Sequence, residues 1–588
     1  MREIKELKAM YEKKSIAFDK ESKRFSNYRL IIALLIVGIV AINYRKIFTF
    51  PYIIIFIALI IGFIFAVIKE GTADKNKQSA DIIVEICTKY EQRRNGEWKN
   101  FESTGVEFEK EYAFLADLQI LGENSLFQFI NCCTTHGGKK KLARKFNKNM
   151  EDRFDNIKEE AISSQKSIDE LCENKELILQ FQEKIKNIEG AESMIAENEI
   201  HTFDMERKFS KMDFGISLVL SFITIILAFL SKNNVYCLMG LIPMIFIQFV
   251  SAVLYQNAYG KEISATGKHL RKLTELKSIY QLFQNKSFQS SQLEELKNKI
   301  IVCQDIFVKL KKIDTLESFR KNFIMWFIGN VFLSLNRFIV KEYGNINEND
   351  RMKMYQCIDA IEDLEVLISL ASINIVKEHS VKPTFSDEMK ISCKNAIHPM
   401  LDEEICIGND FETGKNINII TGSNMSGKTS FMKTIGVNLV LAYSGAYVNA
   451  TEFHAPIMKI FTSINVKDDI NKGISKFYAE LLRLKEAMNS AKSGEKIILF
   501  VDEIFSGTNY QDRIFGAKNI INKLSDENVI GFITTHDFEL CEINNSDIVN
   551  YHFSEEYDNG KMKFSHKIKE GECQGTNAIQ LMEETGIL

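Results

Sequence analysis

The chain is poor in the residues that mark several common protein classes. Its eleven cysteines are scattered, with no C-x-x-C pair and no His/Cys group at metal spacing. That argues against a disulfide scaffold or a structural zinc site: adjacent Cys132 and Cys133 read as core filler, and the setting as a reducing cytosol. Only five prolines occur in 588 residues, while charged residues make up 26%, a balance that favours long helices. The net charge of −4 gives no global footprint for nucleic acid, so any DNA contact requires a local basic face. Residues 1–29 are polar and basic but hold no small-residue cleavage site, which excludes a removable signal peptide. A chain this long does not close around one core, and three or more units are expected.

What is abundant is apolar sequence in paired runs. Leu30 to Tyr44 and Ile47 to Ile68 are uncharged and separated only by Arg45 and Lys46; Phe214 to Ser231 and Val235 to Tyr255 form a second pair around Lys232, Asn233 and Asn234. The longer runs suffice to cross a hydrocarbon core, so the pattern predicts two transmembrane hairpins. Arg24, Arg29, Lys69, Lys75, Arg207, Lys208, Lys211, Lys261 and Lys268 crowd their outer flanks. This places both termini and the middle segment on the cytoplasmic side of the cell membrane, with lipid as a partner. No ionisable residue interrupts the spans, which argues against an export pathway.

The polar stretches read as helices. Ile162, Ile168, Leu171, Leu177, Leu179 and Phe181 fall at helical spacing between charges, and residues 261–320 repeat the pattern. Ile324 to Leu335 is apolar but contains Asn330, and is expected to be a buried core helix rather than a fifth span.

From about Asn395 short β-rich runs alternate with helices, the doubly wound α/β pattern. A β-branched run ends in Gly422-x-x-x-x-Gly427-Lys428-Thr429. Glycines at that spacing let backbone N–H groups turn inward around phosphate oxygens, and the following helix points its positive end at them. Gly422, Ser423, Asn424, Met425, Ser426, Gly427, Lys428, Thr429 and Ser430 are therefore the candidate cradle for ATP, with Lys428 on the β and γ phosphates and Thr429 on Mg²⁺. Ile497 to Val501 followed by Asp502 and Glu503 describes a buried strand delivering two acids at its carboxyl edge. Asp502 would hold Mg²⁺ and Glu503 would activate the attacking water. A third strand ends in His536, where a γ-phosphate sensor belongs.

These segments together resemble the MutS ATPase family, within the ABC-type branch of P-loop NTPases. The resemblance is carried by Thr421 to Gly436 including Asn424 and Met425, by Gly445-Ala-Tyr-Val448, Ile460-Phe-Thr462, Asp468-Asp469 and Ser475-Lys-Phe-Tyr-Ala-Glu480. Asp502 to Thr508, Thr535 to Leu540, His398-Pro399, Asn577-Ala578 and Gly586-Ile587 complete it. Upstream, Asp117, Gly122, Ser125 to Phe127, Asn131, Thr134-Thr135, Gly137-Gly138, Gln165 and Glu170-Leu171 are similar to the opening of the MutS core domain. The resemblance implies a preference for adenine and a head-to-tail homodimer, in which Ser475 of one subunit completes the other's site in trans.

The expected organisation is a basic tail (1–29), a first hairpin (30–68), a helical linker (69–110) and an all-α, MutS-core-like lever domain (111–390) interrupted by the second hairpin at 214–255. An ATPase domain (391–588) follows. The stretch before Tyr112 leaves no room for a folded mismatch-reading domain, and no nuclease module is expected after Leu588. Phe181-Gln-Glu183 has the form of the family's base wedge but sits in an amphipathic helical pattern and is read as coincidence. Two functions follow from this reading. One is a membrane-anchored ATPase acting on duplex DNA, through faces such as Lys139 to Lys141 with Arg144 and Lys145. The other is an ATP-driven mechanical switch in the membrane without DNA.

Overall fold

A computed structural model of the chain describes residues 1–43, 50–108, 113–151, 154–188, 211–232, 234–403, 405–414, 416–423, 425–464, 476–558 and 561–572. The helices that precede the sheets are α1 (Arg2–Asn43), α2 (Phe50–Arg94), α3 (Ala113–Asp117), α4 (Leu126–Ile130), α5 (His136–Glu151), α6 (Phe154–Glu173), α7 (Lys175–Lys186) and α8 (Lys211–Leu230). They continue as α9 (Val235–Glu275), α10 (Lys277–Phe283), α11 (Ser291–Ile301), α12 (Gln304–Lys321), α13 (Phe323–Leu333), α14 (Leu335–Gly344) and α15 (Glu348–Val376). The chain divides into two compact units, one of Met1–Cys133, Lys139–Ile178 and Val366–Leu588, the other of Thr134–Gly138 and Leu179–Glu365.

In the first unit α1 and α2 run antiparallel. Ala66, Ala73, Ala80 and Cys87 are buried at seven-residue intervals on α2, and Ile4 and Tyr11 are buried on α1. A seven-residue repeat keeps one seam facing the partner helix, as in a coiled coil, and the alanines leave room for it. Polar pairs fix the register along the seam: Lys8 to Glu91 at 2.6 Å, Lys77 to Asp19 at 2.6 Å, Ser22 to Asp74 at 2.5 Å and Arg29 to Glu70 at 2.7 Å. Residues 1–29, which the sequence reads as a tail, form the lead-in of α1. At the other end Arg93 is buried and donates to the carbonyls of Phe129 and Asn131, each at 2.7 Å. Trp98 packs edge-on against Phe129, so α2 is anchored in the segment that carries α3 and α4.

Strands follow as β1 (Ser380–Val381), β2 (Thr384–Phe385), β3 (Ile391–Ala396), β4 (Asn409–Thr413), β5 (Ile417–Thr421), β6 (Val448–Asn449), β7 (Glu452–Ala455), β8 (Lys459–Ser463), β9 (Ile497–Val501), β10 (Val529–Thr534), β11 (Ile548–Asp558) and β12 (Lys561–Glu570). The main sheet has the order β12-β11-β5-β10-β9-β8, with β11 through β8 parallel and β12 antiparallel at the edge. Helices α16 (Lys428–Tyr443), α17 (Lys476–Lys492) and α18 (Tyr510–Ser525) accompany it. Every residue of β5, β9 and β10 is buried, which is why these strands read as unbroken apolar runs. Side chains alternate between Ile417, Ile419, Leu499, Val501 and Ile533 on one face and an aromatic cluster on the other, where Phe500 and Phe532 stack at 5.2 Å and Phe411 joins Phe532 at 5.4 Å. A smaller sheet, β2-β7-β3-β4, and the pair β1-β6 complete the unit.

The second unit is helical. Among the described residues three helical segments are, by length and composition, apolar enough to cross a membrane: Ile54–Arg94, Lys211–Leu230 and Val235–Gly260. The last two, α8 and the first part of α9, bury Ser217, Ser221, Thr224 and Gln248 while exposing Val219, Phe222, Met239 and Ile242. The turn residues Arg45 and Lys46, and the flanking Arg207 and Lys208, lie outside the described residues. One expectation is corrected. The helix expected to be buried core, α13, exposes Phe323, Ile324, Met325, Ile328 and Leu333 and buries Asn330; hydropathy measures how apolar a helix is, not which way its apolar side faces. It breaks at Ser334, whose φ is 54°, and α14 leaves at 81° to it. Phe181 is buried with its ring 5.9 Å from that of Phe283, a core contact that leaves it no freedom to act as a wedge.

Candidate active site

The site is built where the parallel strands β5, β9 and β10 end. Ligands of open α/β sheets bind outside the carboxyl ends of the strands. After β5 the chain turns through a loop that α16 continues. Gly422 and Gly427 hold φ of 144° and 119°, backbone that side chains rarely adopt. A Cβ on Gly422 would also stand 2.9 Å from the Phe553 carbonyl. Met425, with φ of 70°, is 86% exposed at the loop's tip. Lys428 opens α16 and is buried; its ammonium donates to the carbonyls of Gly422 and Ser423, both at 2.8 Å. Ser426 Oγ is buried without a hydrogen-bond partner among the described residues. Ser430 is exposed at the next turn.

Asp502 follows β9 and its carboxylate meets the loop. Thr429 Oγ1 donates to it, 3.0 Å from each oxygen, and Thr534 Oγ1 donates to Oδ1 at 2.6 Å. The same threonine hydroxyl accepts from the Glu503 N–H at 2.9 Å, so one side chain at the end of β10 orients both acids. Glu503 and Phe505 have φ of 52° and 59°, conformations that cost about 1–3 kcal/mol each and need support. Glu480 on α17 supplies it: this buried carboxylate accepts the Phe505 N–H at 2.8 Å. Burial pushes the Glu480 carboxyl upward, opposed by that bond and by Lys476 and Arg483. Glu503 Oε1 lies 3.1 Å from His536 Nε2, both side chains half exposed. Arg513 holds Asp537, the residue after His536, with two bonds of 2.7 and 2.9 Å.

A short helical segment from before the sheets is wedged into this site. Asp117 accepts from Thr462 Oγ1 on β8 at 2.8 Å, Ile464 N at 3.0 Å and Arg483 on α17 at 2.6 Å. Burial raises its pKa above the usual carboxylate value, and Arg483 and the other two donors pull it back. Gln119 accepts from Lys433 on α16 at 3.2 Å, and Leu118 fills the space a Cβ on Gly436 would need. Lys433 is itself pushed down by burial, with Asp502 the first opposing charge.

Residues 418–587 match the family model of MutS domain V. Among curated proteins the chain is similar to the DNA mismatch repair protein MutS of Bacillus cytotoxicus, 34% identical over 246 residues, which is 39% of this chain and 27% of that one. The MutS proteins of Bacillus thuringiensis and Bacillus cereus are 33% identical over the same length and shares. The chain thus spans about a quarter of the length of the relatives it matches. Within the MutS domain V match, Gly422, Ser423, Met425, Ser426, Gly427, Lys428 and Thr429 line one loop, and Asp502, Glu503 and His536 stand at the adjoining strand ends. Asn424 and Ser475, with Asp468 and Asp469, lie outside the described residues.

Among the described residues no three His, Cys, Asp or Glu side chains stand together as a metal cage. The donors fit magnesium nonetheless, because that ion takes one or two protein oxygens and completes its shell with water and phosphate; Thr429 Oγ1 and the Asp502 carboxylate are such a pair. Sequence reasoning missed Thr534, a strand-end threonine that no motif singles out. It also missed His566 on β12, whose Nδ1 lies 3.0 Å from the Ser426 carbonyl; only a histidine in an edge strand far from the loop could have hinted at it.

Proposed function

We propose that the chain is a membrane-anchored, MutS-type ATPase of the P-loop, ABC-type class. In this reading residues 391–588 bind and hydrolyse ATP with Mg²⁺ as a head-to-tail homodimer, and closure of that dimer acts on duplex DNA at the cytoplasmic face of the cell membrane. The observation that carries it is the convergence of Lys428, Thr429, Asp502, Glu503 and His536 on one edge of the sheet. Lys428 leaves the loop carbonyls for the β and γ phosphates, and the loop amides from Ser423 to Ser430 cradle them. Thr429 and Asp502 hold Mg²⁺, which neutralises phosphate charge when bound. Glu503 accepts the proton of the attacking water, and His536, hydrogen-bonded to it, orients the acid and contacts the γ-phosphate. Ser475 of the partner subunit closes the site. The MutS relatives and the exposed Lys140 and Arg144 on α5 support DNA as the load. Turnover of the full-length protein in nanodiscs, with and without homoduplex and mismatched DNA, tests this: stimulation and salt-sensitive binding are expected, and no binding at low salt would refute the DNA part.

A second reading is favoured by the path from α2 to the site. Arg93 and Trp98 fix α2 to the segment that carries Asp117, and Asp117 touches β8 and α17. In that reading nucleotide-driven movement is delivered to the first hairpin, and DNA plays no part. Turnover indifferent to DNA but altered by Ala73→Leu in the helical seam would favour it.

A further inference from the structure

Helix α13 is inside out for a water-soluble protein. Phe323, Ile324, Met325, Ile328 and Leu333 are 72, 65, 48, 45 and 63% exposed, whereas Gly329, Asn330 and Val331 are buried. No charged residue occurs from Asn322 to Asn336, while Arg320 and Lys321 precede this stretch and Arg337 and Lys341 follow it. The helix packs beside α8 and α9. The Trp326 and Phe327 rings lie 6.2 and 5.8 Å from that of Phe249. At the break the Ser334 hydroxyl is 2.5 Å from that of Ser217 and 3.0 Å from that of Ser221, and Gln248 donates to Ser221 at 3.1 Å. Ser217 and Ser221 are six and ten residues into α8, roughly 9–15 Å from its charged end at about 1.5 Å per residue. That depth lies within the nearer half of a hydrocarbon core about 30 Å thick.

Backbone that breaks inside lipid must satisfy its own polar groups, and two asparagines here bond to backbone groups, while Asn336 Oδ1 is buried with no partner among the described residues. Asn322 Oδ1 accepts from the N–H groups of Ile324 and Met325 at 3.0 and 3.2 Å, Asn330 Nδ2 donates to the Trp326 carbonyl at 2.8 Å, and Asn330 Oδ1 accepts from the Asn336 N–H at 3.0 Å. Beside it a groove of about 580 Å³ is lined by Phe246, Val250, Leu254 and Tyr255 and ends at the Arg337–Asp213 pair, 2.8 Å long. Apolar wall and charged end meet there as acyl chain and headgroup do.

We propose that α13 is a re-entrant membrane element. It dips into the leaflet at the charged ends of α8 and α9, lays Phe323, Ile324, Ile328 and Leu333 against phospholipid acyl chains, and turns back at Ser334. Arg320, Lys321, Arg337 and Lys341 then lie on one side of the membrane. The inference rests on α8 and α9 being membrane spans, and its test separates the two. Trp98 and Trp326 are the only tryptophans of the chain, and Trp98 is buried in the other unit. The fluorescence of the wild type minus that of Trp326→Phe therefore reports α13 alone. In vesicles of phosphatidylcholine brominated near the headgroup end of its chains, the Trp326 signal should lose most of its intensity, and lose less when the bromine sits near the chain end. Phe246→Trp in the Trp326→Phe background reports α9, and Phe323→Trp in the same background is a second reporter on α13. Quenching of α9 but not of Trp326 or Phe323→Trp, with iodide reaching the latter two from water, would overturn the re-entrant helix and leave the spans. Quenching of neither helix would overturn both.

Discussion

Between α1 and α2 the contact surface is a seven-residue repeat of small apolar side chains, Ala66, Ala73, Ala80 and Cys87; between α8 and α9 it is a row of hydroxyls and one amide, Ser217, Ser221, Thr224 and Gln248. The first seam continues beyond the apolar stretch until Arg93 locks it to the segment holding Asp117. A uniform seam of this kind makes a rod, which carries displacement along its length. The second seam is local, keyed by hydrogen bonds to the Ser334 break, and fixes one geometry instead of transmitting many. The rod shares a compact unit with the candidate active site, and the keyed pair belongs to the other.

Substitutions can break that contrast. Lys428→Ala sets the scale, because it removes the cation that would meet the phosphates: nucleotide binding should be lost and turnover should fall roughly a thousandfold, about 4 kcal/mol. Retained turnover would refute the site. The second unit should next respond to pH through one carboxyl. Glu365, fully buried in the second unit, accepts from Thr134 N and Thr135 Oγ1, and burial pushes its carboxyl up to about 7 against those bonds, with Glu362 adding to the rise. Its native value lies above the unfolded one, so the stability it contributes is complete below the unfolded value near 4.5 and lost as pH rises through 7. The loss is about 3 kcal/mol at most. Thermal unfolding across that range should show it, and Glu365→Gln should flatten the profile.

Within the seams, Ala73→Leu should cost about 1–3 kcal/mol by overpacking and change turnover, since it acts on the rod. Ser221→Ala removes contacts to Ser334 and Gln248 and should cost only about 0.6 kcal/mol per bond, with turnover unchanged. If Ser221→Ala alters turnover and Ala73→Leu does not, the roles assigned to the hairpins are reversed.

The sheet edge was readable because its chemistry demands particular residues at fixed spacing: the loop from Gly422 to Thr429 and the acids after Ile497 to Val501 stand out in one dimension. Thr534 was not, since a threonine ending a β-branched strand is what any buried strand offers. Asp117 stood out only by resemblance, its partners Thr462 and Arg483 being more than 340 residues away. The alanine seam was hidden for a different reason. Ala66 is lost within the apolar run that ends at Ile68, and Ala73 and Ala80 stand singly among charged and polar residues, too small to register as an apolar stripe. Hydropathy was equally blind to the orientation of α13, because Asn330, on the helix's buried side, reads as a blemish in a sequence.

The central claim is that Glu503, oriented by Thr534 and paired with His536, acts on water at a site whose nucleotide is held by other residues. The measurement that tests it most directly is Mg²⁺-dependent ATP turnover and nucleotide retention by the full-length protein in nanodiscs, wild type against Glu503→Gln. The variant should bind ATP as tightly as the wild type, retain it unhydrolysed and lose turnover by at least about a hundredfold. Normal turnover by Glu503→Gln, or loss of binding together with turnover, would contradict it.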